Sequence, residues 1–396
     1  MRTNHFMTER GAMEKAYFEI KAVTPIFSSG ADFGNKPEFR SASIKGLLRF
    51  WYRAIYPLNS QNDEARIFGC TGGRSPFSLK AMVIDPLYGG KGETIWDGNP
   101  ISYLGYGVIQ RDKDLKKNIT TRAYFSPGST FRLIFTFHDH IKTEDKIRVL
   151  RSFWALSMLG GIGSRNRRGF GSFKIISNDL HSNPDVPPFI FENEKEYIKF
   201  LQAFLNSSDN DTTGKPQYTC FSNNKRIVLK LVPSAYHLKL KCPSNFKGSE
   251  KAMAVLEKIA DDFNNFRSAK KSDHFKTDHD LMLNFLKGGK TTSAPKRAAF
   301  GLPHNYFFSS TKMSGNVDLL ENGGKGRRAS PLLIHVQEFS DSSACGVLTF
   351  LPAELLPSGK TLTLSGGNNK STSVPAPDFS AITQFMDNVR KIGGKS

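Results

Sequence analysis

Three arginines, Arg165, Arg167 and Arg168, stand among five glycines in the segment GGIGSRNRRGFGS, residues 160–172. Guanidinium groups grip phosphate through paired N–H bonds, and glycines such as Gly161 and Gly163 let backbone amides approach a polyanion closely. The chemistry this implies is attachment to a nucleic-acid backbone without regard to base sequence. A flexible basic loop with no ligand is the plainer alternative for a Gly/Arg run taken alone. A second basic set, Lys45, Arg49 and Arg53, repeats every fourth residue. In a helix that spacing makes one stripe, which by itself also suits an ordinary solvated face. Tyr52 beside it could stack on a splayed base, whereas Trp51 belongs to an apolar face and is expected in the core.

These side chains need elements to hold them. Ile44, Leu47, Leu48, Trp51 and Ile55 recur at helical spacing after Ser43, a possible cap, so the stripe sits on a helix whose other face is buried. Alternation predicts strands over Phe18 to Ile26, Leu79 to Asp85 and Phe131 to Phe137. A second helix begins near Glu144, with Ile147, Leu150, Trp154 and Met158 on one face and Gly160–Gly161 as its stop. Phe170 to Ile176 follows as a strand. The order β-α-β-β-α-β is that of a ferredoxin-like unit, with the Gly-rich loop directly after its second helix.

The chain has 396 residues, more than one core usually fills, and carries 55 Lys and Arg against 36 Asp and Glu, a net charge of +19. Such charge draws polyanions. No apolar run reaches bilayer length and no secretory leader is evident, so a soluble, cytoplasmic protein without a membrane partner is expected. Cys70, Cys220, Cys242 and Cys345 lack the spacing of a zinc module or disulfide framework. Polar, Pro- and Asn-rich sequence suggests a linker over 181–218, between a first domain at 14–180 and a second at 219–396. The second contains strand-like Arg226 to Val232, Ser330 to Phe339 and Gly346 to Leu351, an apolar-faced helix from Ala252 to Phe266, and a closing helix, Phe379 to Lys391. Leu364 to Pro377 reads as a mobile loop.

Other motifs are incomplete. GGKTT, Gly288 to Thr292, lacks the first glycine of a phosphate-binding loop, since Asn284 stands there, and it follows a helical run. His138 with His140, and Asp278-His279-Asp280, lack further ligands nearby, so no metal or other cofactor is expected.

The Gly/Arg loop after a second helix resembles that of the RAMP superfamily of CRISPR effector complexes. The segment from Thr24 to Pro57, TPIFSSGADFGNKPEFRSASIKGLLRFWYRAIYP, followed by EARIFG, is similar to the family of the first RAMP subunit of type III-B Cmr complexes. Ala299 to Phe308, AFGLPHNYFF, and Arg327 to Val336, RRASPLLIHV, also resemble that family.

The resemblance implies an α+β fold of two ferredoxin-like (RRM-like) domains. It implies a non-catalytic place at the head of a ribonucleoprotein, near the 3′ region of the guide RNA and the incoming target RNA, beside other Cmr subunits. By position it makes Lys45, Arg49, Arg53, Gly161, Gly163, Arg165, Arg167 and Arg168 RNA contacts, with Lys296, Arg297, Arg327 and Arg328 as weaker ones. Relatives in the superfamily cut RNA, so an endoribonuclease is the main rival, with Asp32 the residue to test. An adaptor that meets acidic protein surfaces rather than RNA is the second.

Overall fold

A computed structural model describes residues 13–32, 34–56, 61–180, 185–207, 230–233, 246, 248–268, 273–321, 324–366 and 370–392. Cys220, Cys242, both ends of the expected linker (181–184 and 208–218) and the start of the strand expected from Arg226 lie outside them.

Strand β1 (Glu14–Ala22) buries Ala16, Phe18, Ile20 and Ala22 on one face. It starts and ends four residues earlier than alternation suggests. Pro25, which has no N–H to give a ladder, stands just beyond it. Helix α1 (Ser41–Ile55) begins before Ser43, and the Ser41 hydroxyl instead accepts the Ala81 N–H at 3.0 Å. Helix α2 (Gln61–Phe68) and strand β2 (Phe77–Asp85) follow. The chain then forms an excursion that the sequence did not suggest: β3 (Tyr88–Gly89), a one-turn helix α3 (Ile101–Leu104), β4 (Ile109–Arg111), β5 (Asn118–Thr120) and β6 (Tyr124–Phe125). In it β3 pairs with β6 and β4 with β5. Strand β7 (Thr130–Phe137), helix α4 (Thr143–Leu159) and strand β8 (Phe173–Asn178) complete this half.

The sheet runs β2-β7-β1-β8, antiparallel throughout, with Phe18 opposite Leu133 and Ile20 opposite Phe131. Helices α1 and α4 pack side by side, and their apolar faces share one core with the sheet. Burying side chains the size of Phe135, Phe153, Trp51 and Trp154 contributes about 2 to 3 kcal/mol each.

Within the expected linker lies helix α5 (Glu194–Ser207), whose Tyr197, Leu201 and Phe204 are buried. The Tyr197 hydroxyl donates to the Met158 carbonyl at 2.7 Å, so this helix seals the end of α4.

The later half begins with β9 (Lys230–Pro233) and α6 (Glu250–Arg267), then α7 (Lys276–Leu286), β10 (His304–Phe308), β11 (Met313–Glu321) and β12 (Gly324–Gly326). β13 (Leu332–Glu338), β14 (Ala344–Phe350), β15 (Leu362–Gly366), β16 (Lys370–Val374) and α8 (Ser380–Ile392) complete it. Among the described residues β13-β14-β9 form a three-stranded sheet, while β10-β11-β15-β16, with β12 beside β11, form a separate five-stranded one. The segment from Leu364 to Pro377 is therefore partly a hairpin rather than a mobile loop. Its Gly/Ser/Asn composition hides the alternation of Leu362, Leu364 and Val374, all buried.

Strand β13 is buried along its whole length, between α4 on one side and α6 on the other. Its neighbours join both cores: Leu333 and Val347 pack with the first half, while Phe27, Tyr124 and Phe170 pack with α6.

Candidate nucleic-acid interface

Helix α1 buries Ile44, Leu48 and Trp51 and turns Lys45, Arg49 and Arg53 outward, because 3.6 residues per turn keep every fourth residue on one flank. Lys45 and Arg49 border an open hollow of about 1050 Å³ whose opposite wall is the loop Gly69 to Ser75, with Arg74, and His138. The Lys45 ammonium donates to the Phe77 carbonyl at 3.3 Å and lies 4.5 Å from the Phe77 ring. Burial, then the neighbouring Arg49, pulls its pKa below the ordinary lysine value. Arg49 donates to the Gly69 carbonyl. Glu64 on α2 lies 3.8 Å from Arg49 and 3.5 Å from Arg53, one carboxylate shared by two guanidinium groups.

Arg53 also borders a second hollow, of about 560 Å³, with Phe50, Arg167 and Arg328. The α1 stripe thus runs from one basic hollow into another. Arg167 lies 4.5 Å from the Phe50 ring and donates to the Ser330 carbonyl at 2.6 Å. Burial pushes its pKa down to about 10, so it stays charged at neutral pH.

The Gly/Arg loop does something other than expose amides. Ile162 N–H donates to Gly171 at 2.9 Å, Ser164 to Phe27 at 2.7 Å, Arg168 to Arg165 at 2.7 Å and Gly171 to Pro25 at 2.9 Å. Those donors are taken. Glycine is required here for close approach: a Cβ on Gly163, at φ +88°, would stand 2.6 Å from the Phe27 oxygen, and one on Gly171, at φ +71°, would stand 1.8 Å from the Ile162 oxygen. Gly161 is buried against the backbone of Phe170 and Gly171. From this base the loop ties the two halves together. The Arg167 carbonyl accepts from Ile334 at 3.1 Å, Arg168 donates to the Phe300 carbonyl at 3.0 Å, and Ser172 accepts from Val336 at 3.1 Å. The expectation of a loop open to a phosphate strand is corrected accordingly. Its glycines serve packing, and its arginines are half-buried. Arg165 lies 5.9 Å from the Tyr106 ring and Arg168 faces Phe263 at 4.9 Å.

Tyr52 is also corrected. It is 1% exposed and packs on Phe68 and Tyr56, so it has no face to offer a base, because the apolar arc of α1 is wider than its i, i+3, i+4 positions suggest. Phe50, half-buried beside Arg167, holds the position Tyr52 was expected to hold. Lys296 and Arg327 are exposed, Arg297 is half-buried, and Arg328 borders the smaller hollow. Arg74 and Phe50, which border the two hollows, were not singled out at the level of sequence. The run Gly69 to Arg74, with three glycines before an arginine, was the available signal for the first.

The incomplete motifs have structural roles. Lys370 donates to the carbonyls of Phe285 at 3.1 Å and Gly289 at 2.8 Å, which fills the turn at Gly288. Asp278 accepts the N–H groups of Lys296 at 2.9 Å and Arg297 at 2.7 Å, while Asp32 accepts from Asn35 at 2.9 Å. Among the described residues no group of three His, Cys, Asp or Glu side chains is placed to hold a metal ion, and no helix is long and apolar enough to cross a membrane.

Known proteins align with this arrangement. The RAMP superfamily model matches residues 19–174, from the middle of β1 into β8. Cmr subunit Cmr1-2 of the CRISPR system of Pyrococcus furiosus is 35% identical over 185 residues, covering 41% of this chain and 96% of that protein. Cmr1-1 of the same organism is 31% identical over 169 residues, 40% of this chain and 47% of that one. Among solved structures, apo Cmr1 from P. furiosus superposes with a TM-score of 0.53 at 17% identity, covering 95% of this chain and 97% of the other, a likeness of fold. From the sequence match that spans nearly all of Cmr1-2, this chain belongs to the RAMP superfamily, among the relatives of Cmr subunit Cmr1.

Proposed function

We propose that the chain is a non-catalytic RNA-binding subunit of a type III-B CRISPR (Cmr) ribonucleoprotein, placed at its head near the 3′ region of the guide RNA, and that it works in the cytoplasm. Its partners are guide and target RNA and the other Cmr subunits. The likeness to Cmr1 subunits supports the assembly, and one geometric observation carries the RNA reading: Lys45, Arg49 and Arg53 link a hollow that also holds Arg74 to a hollow that also holds Arg167, Arg328 and the aromatic face of Phe50. A row of cations with open space on both ends suits a phosphodiester strand. The carboxylate in the row, Glu64, is engaged by Arg49 and Arg53, and contact to phosphates rather than base edges suits a protein that must accept any guide, since pairing between guide and target supplies specificity.

We divide the chain into an N-terminal ferredoxin-like domain at 14–180, a connecting stretch at 181–218 and a C-terminal domain at 219–396. The order β9-α6-β13-β14-α8 supports a second ferredoxin-like unit, with β10 to β12 inserted after its first helix. The Gly/Arg loop then serves RNA through Arg167, at the lip of the smaller hollow, and otherwise holds the domains in register. Replacing Lys45, Arg49 and Arg53 together by Ala weakens binding to unrelated RNA sequences alike. It lowers the slope of log K against log salt by about 0.7 for each phosphate of the single strand that the variant no longer neutralises. An unchanged slope would remove the stripe from the interface.

A further inference from the structure

Apart from the α1 stripe, a second basic cluster lies across the Gly/Arg loop. Arg168 of the loop, Arg267 at the end of α6 and Arg297 of the 3-10 turn Lys296–Phe300 converge with Tyr103 of α3 and with His304 and Tyr306 of β10. Aromatic faces back the three guanidinium groups: Phe263 lies 4.9 Å from Arg168 and 5.0 Å from Arg267, and Phe275 lies 5.1 Å from Arg297. Stacking covers the planes and leaves the N–H edges to be satisfied. Two edges are: Arg168 donates to the Phe300 carbonyl at 3.0 Å and Arg297 to the Arg267 carbonyl at 2.5 Å.

Others are not. Arg168 Nη1, Arg267 Nε, Arg297 Nε, His304 Nε2 and Tyr306 Oη are all buried and have no hydrogen-bond partner among the described residues. The acid nearest to them in charge is Asp278, whose two oxygens are taken by backbone N–H groups. Among the described residues no carboxylate pairs with any of the three arginines. Arg168, Arg267, Arg297 and His304 are each only partly buried as whole residues and Tyr103 is 38% exposed, so the cluster lies near the surface rather than in the centre of the core.

Gathering three cations in a desolvated place with one carboxylate, Asp278, as partial counter-charge is costly, as is burying a donor unmated. Burial and neighbouring arginines push the Arg168 pKa down to about 9 and hold His304 well below the ordinary histidine value. Both penalties are relieved by one ligand type, a compact oxyanion with several acceptor atoms. We propose that this cluster is a phosphate-binding site, in which Arg168, Arg267 and Arg297 take a phosphate group whose oxygens also accept from Tyr306. The phosphate comes either from an RNA strand or from a free phosphate, and the site does not depend on the α1 stripe.

The test uses the full chain. Calorimetric titration with sodium phosphate against sodium chloride at matched ionic strength detects one site for free phosphate. Titration with oligouridylate of the variant carrying Ala at Lys45, Arg49 and Arg53 detects a strand held without the stripe. Binding in either arm, weakened at least about tenfold by Arg267→Gln, supports the site and identifies the source. Should Arg267→Gln fail to fold by circular dichroism, Arg267→Lys keeps the charge, removes the fork and is expected to weaken the same arm. Absence of binding in both arms with the cluster unmodified overturns the proposal, and so does binding that Arg267 variants leave unchanged. Loss of RNA affinity in the stripe variant alone, with phosphate binding intact, concerns only the α1 reading.

Discussion

His335 Nδ1 donates to the Gly160 carbonyl across 2.6 Å, joining the middle of β13 to the residue that ends α4 and opens the Gly/Arg loop. The ring is fully buried. Burial lowers its pKa to about 4, and the hydrogen bonds to Gln337 and Gly160 only partly oppose this. The unfolded chain thus binds this proton more readily than the folded one. The sign follows: the contribution of neutral His335 is complete above about pH 6.5 and is lost as pH falls toward 4, about 1.4 kcal/mol for each pH unit in that window. Urea unfolding from pH 7 to pH 4 should show the loss, and His335→Gln should flatten it. Because His304 is shifted in the same direction, the difference between variant and parent isolates His335.

Gly171→Ala tests whether the loop is a packing device. The new Cβ would meet a backbone oxygen, which cannot swing aside as a side chain can, and φ is +71°. A loss of about 2 kcal/mol or more is expected in denaturant unfolding. An unaffected midpoint would mean that the loop has room to move.

Phe50 and Tyr52 are two residues apart and should behave oppositely toward RNA. Phe50→Ala is expected to weaken RNA binding by about 1 to 3 kcal/mol and to cost less stability than Tyr52→Ala, because Phe50 is half-buried at the edge of the core and Tyr52 is wholly inside it. Photo-crosslinking that marks Tyr52 and spares Phe50 would contradict this assignment.

Asp32→Ala should leave RNA integrity unchanged in long incubation with Mg²⁺, because the parent chain is expected to leave RNA intact. Cleavage by the parent that the variant lacks would restore the nuclease reading.

Much of the first half was legible because its periods are clean. Phe131, Leu133, Phe135 and Phe137 alternate without interruption, and the α1 stripe is set by spacing alone. The loop was legible in place but not in purpose. Glycine and arginine serve a ligand and a tight chain crossing with the same vocabulary, and only the approach of Phe27, Ile334 and Phe300 separates the two. The arginine cluster could not be read at all, since Tyr103, Arg168, Arg267 and Arg297 come from four distant stretches that only tertiary packing unites.

Sandwiching β13 between α4 and α6 also limits how the molecule can respond to a guest. A hinge between the halves would have to peel Leu333 and Val347 from one side and Ile334 and Val336 from the other, wetting apolar surface on both. The two halves therefore behave as one body, and a change in their relation would cost burial in both cores at once.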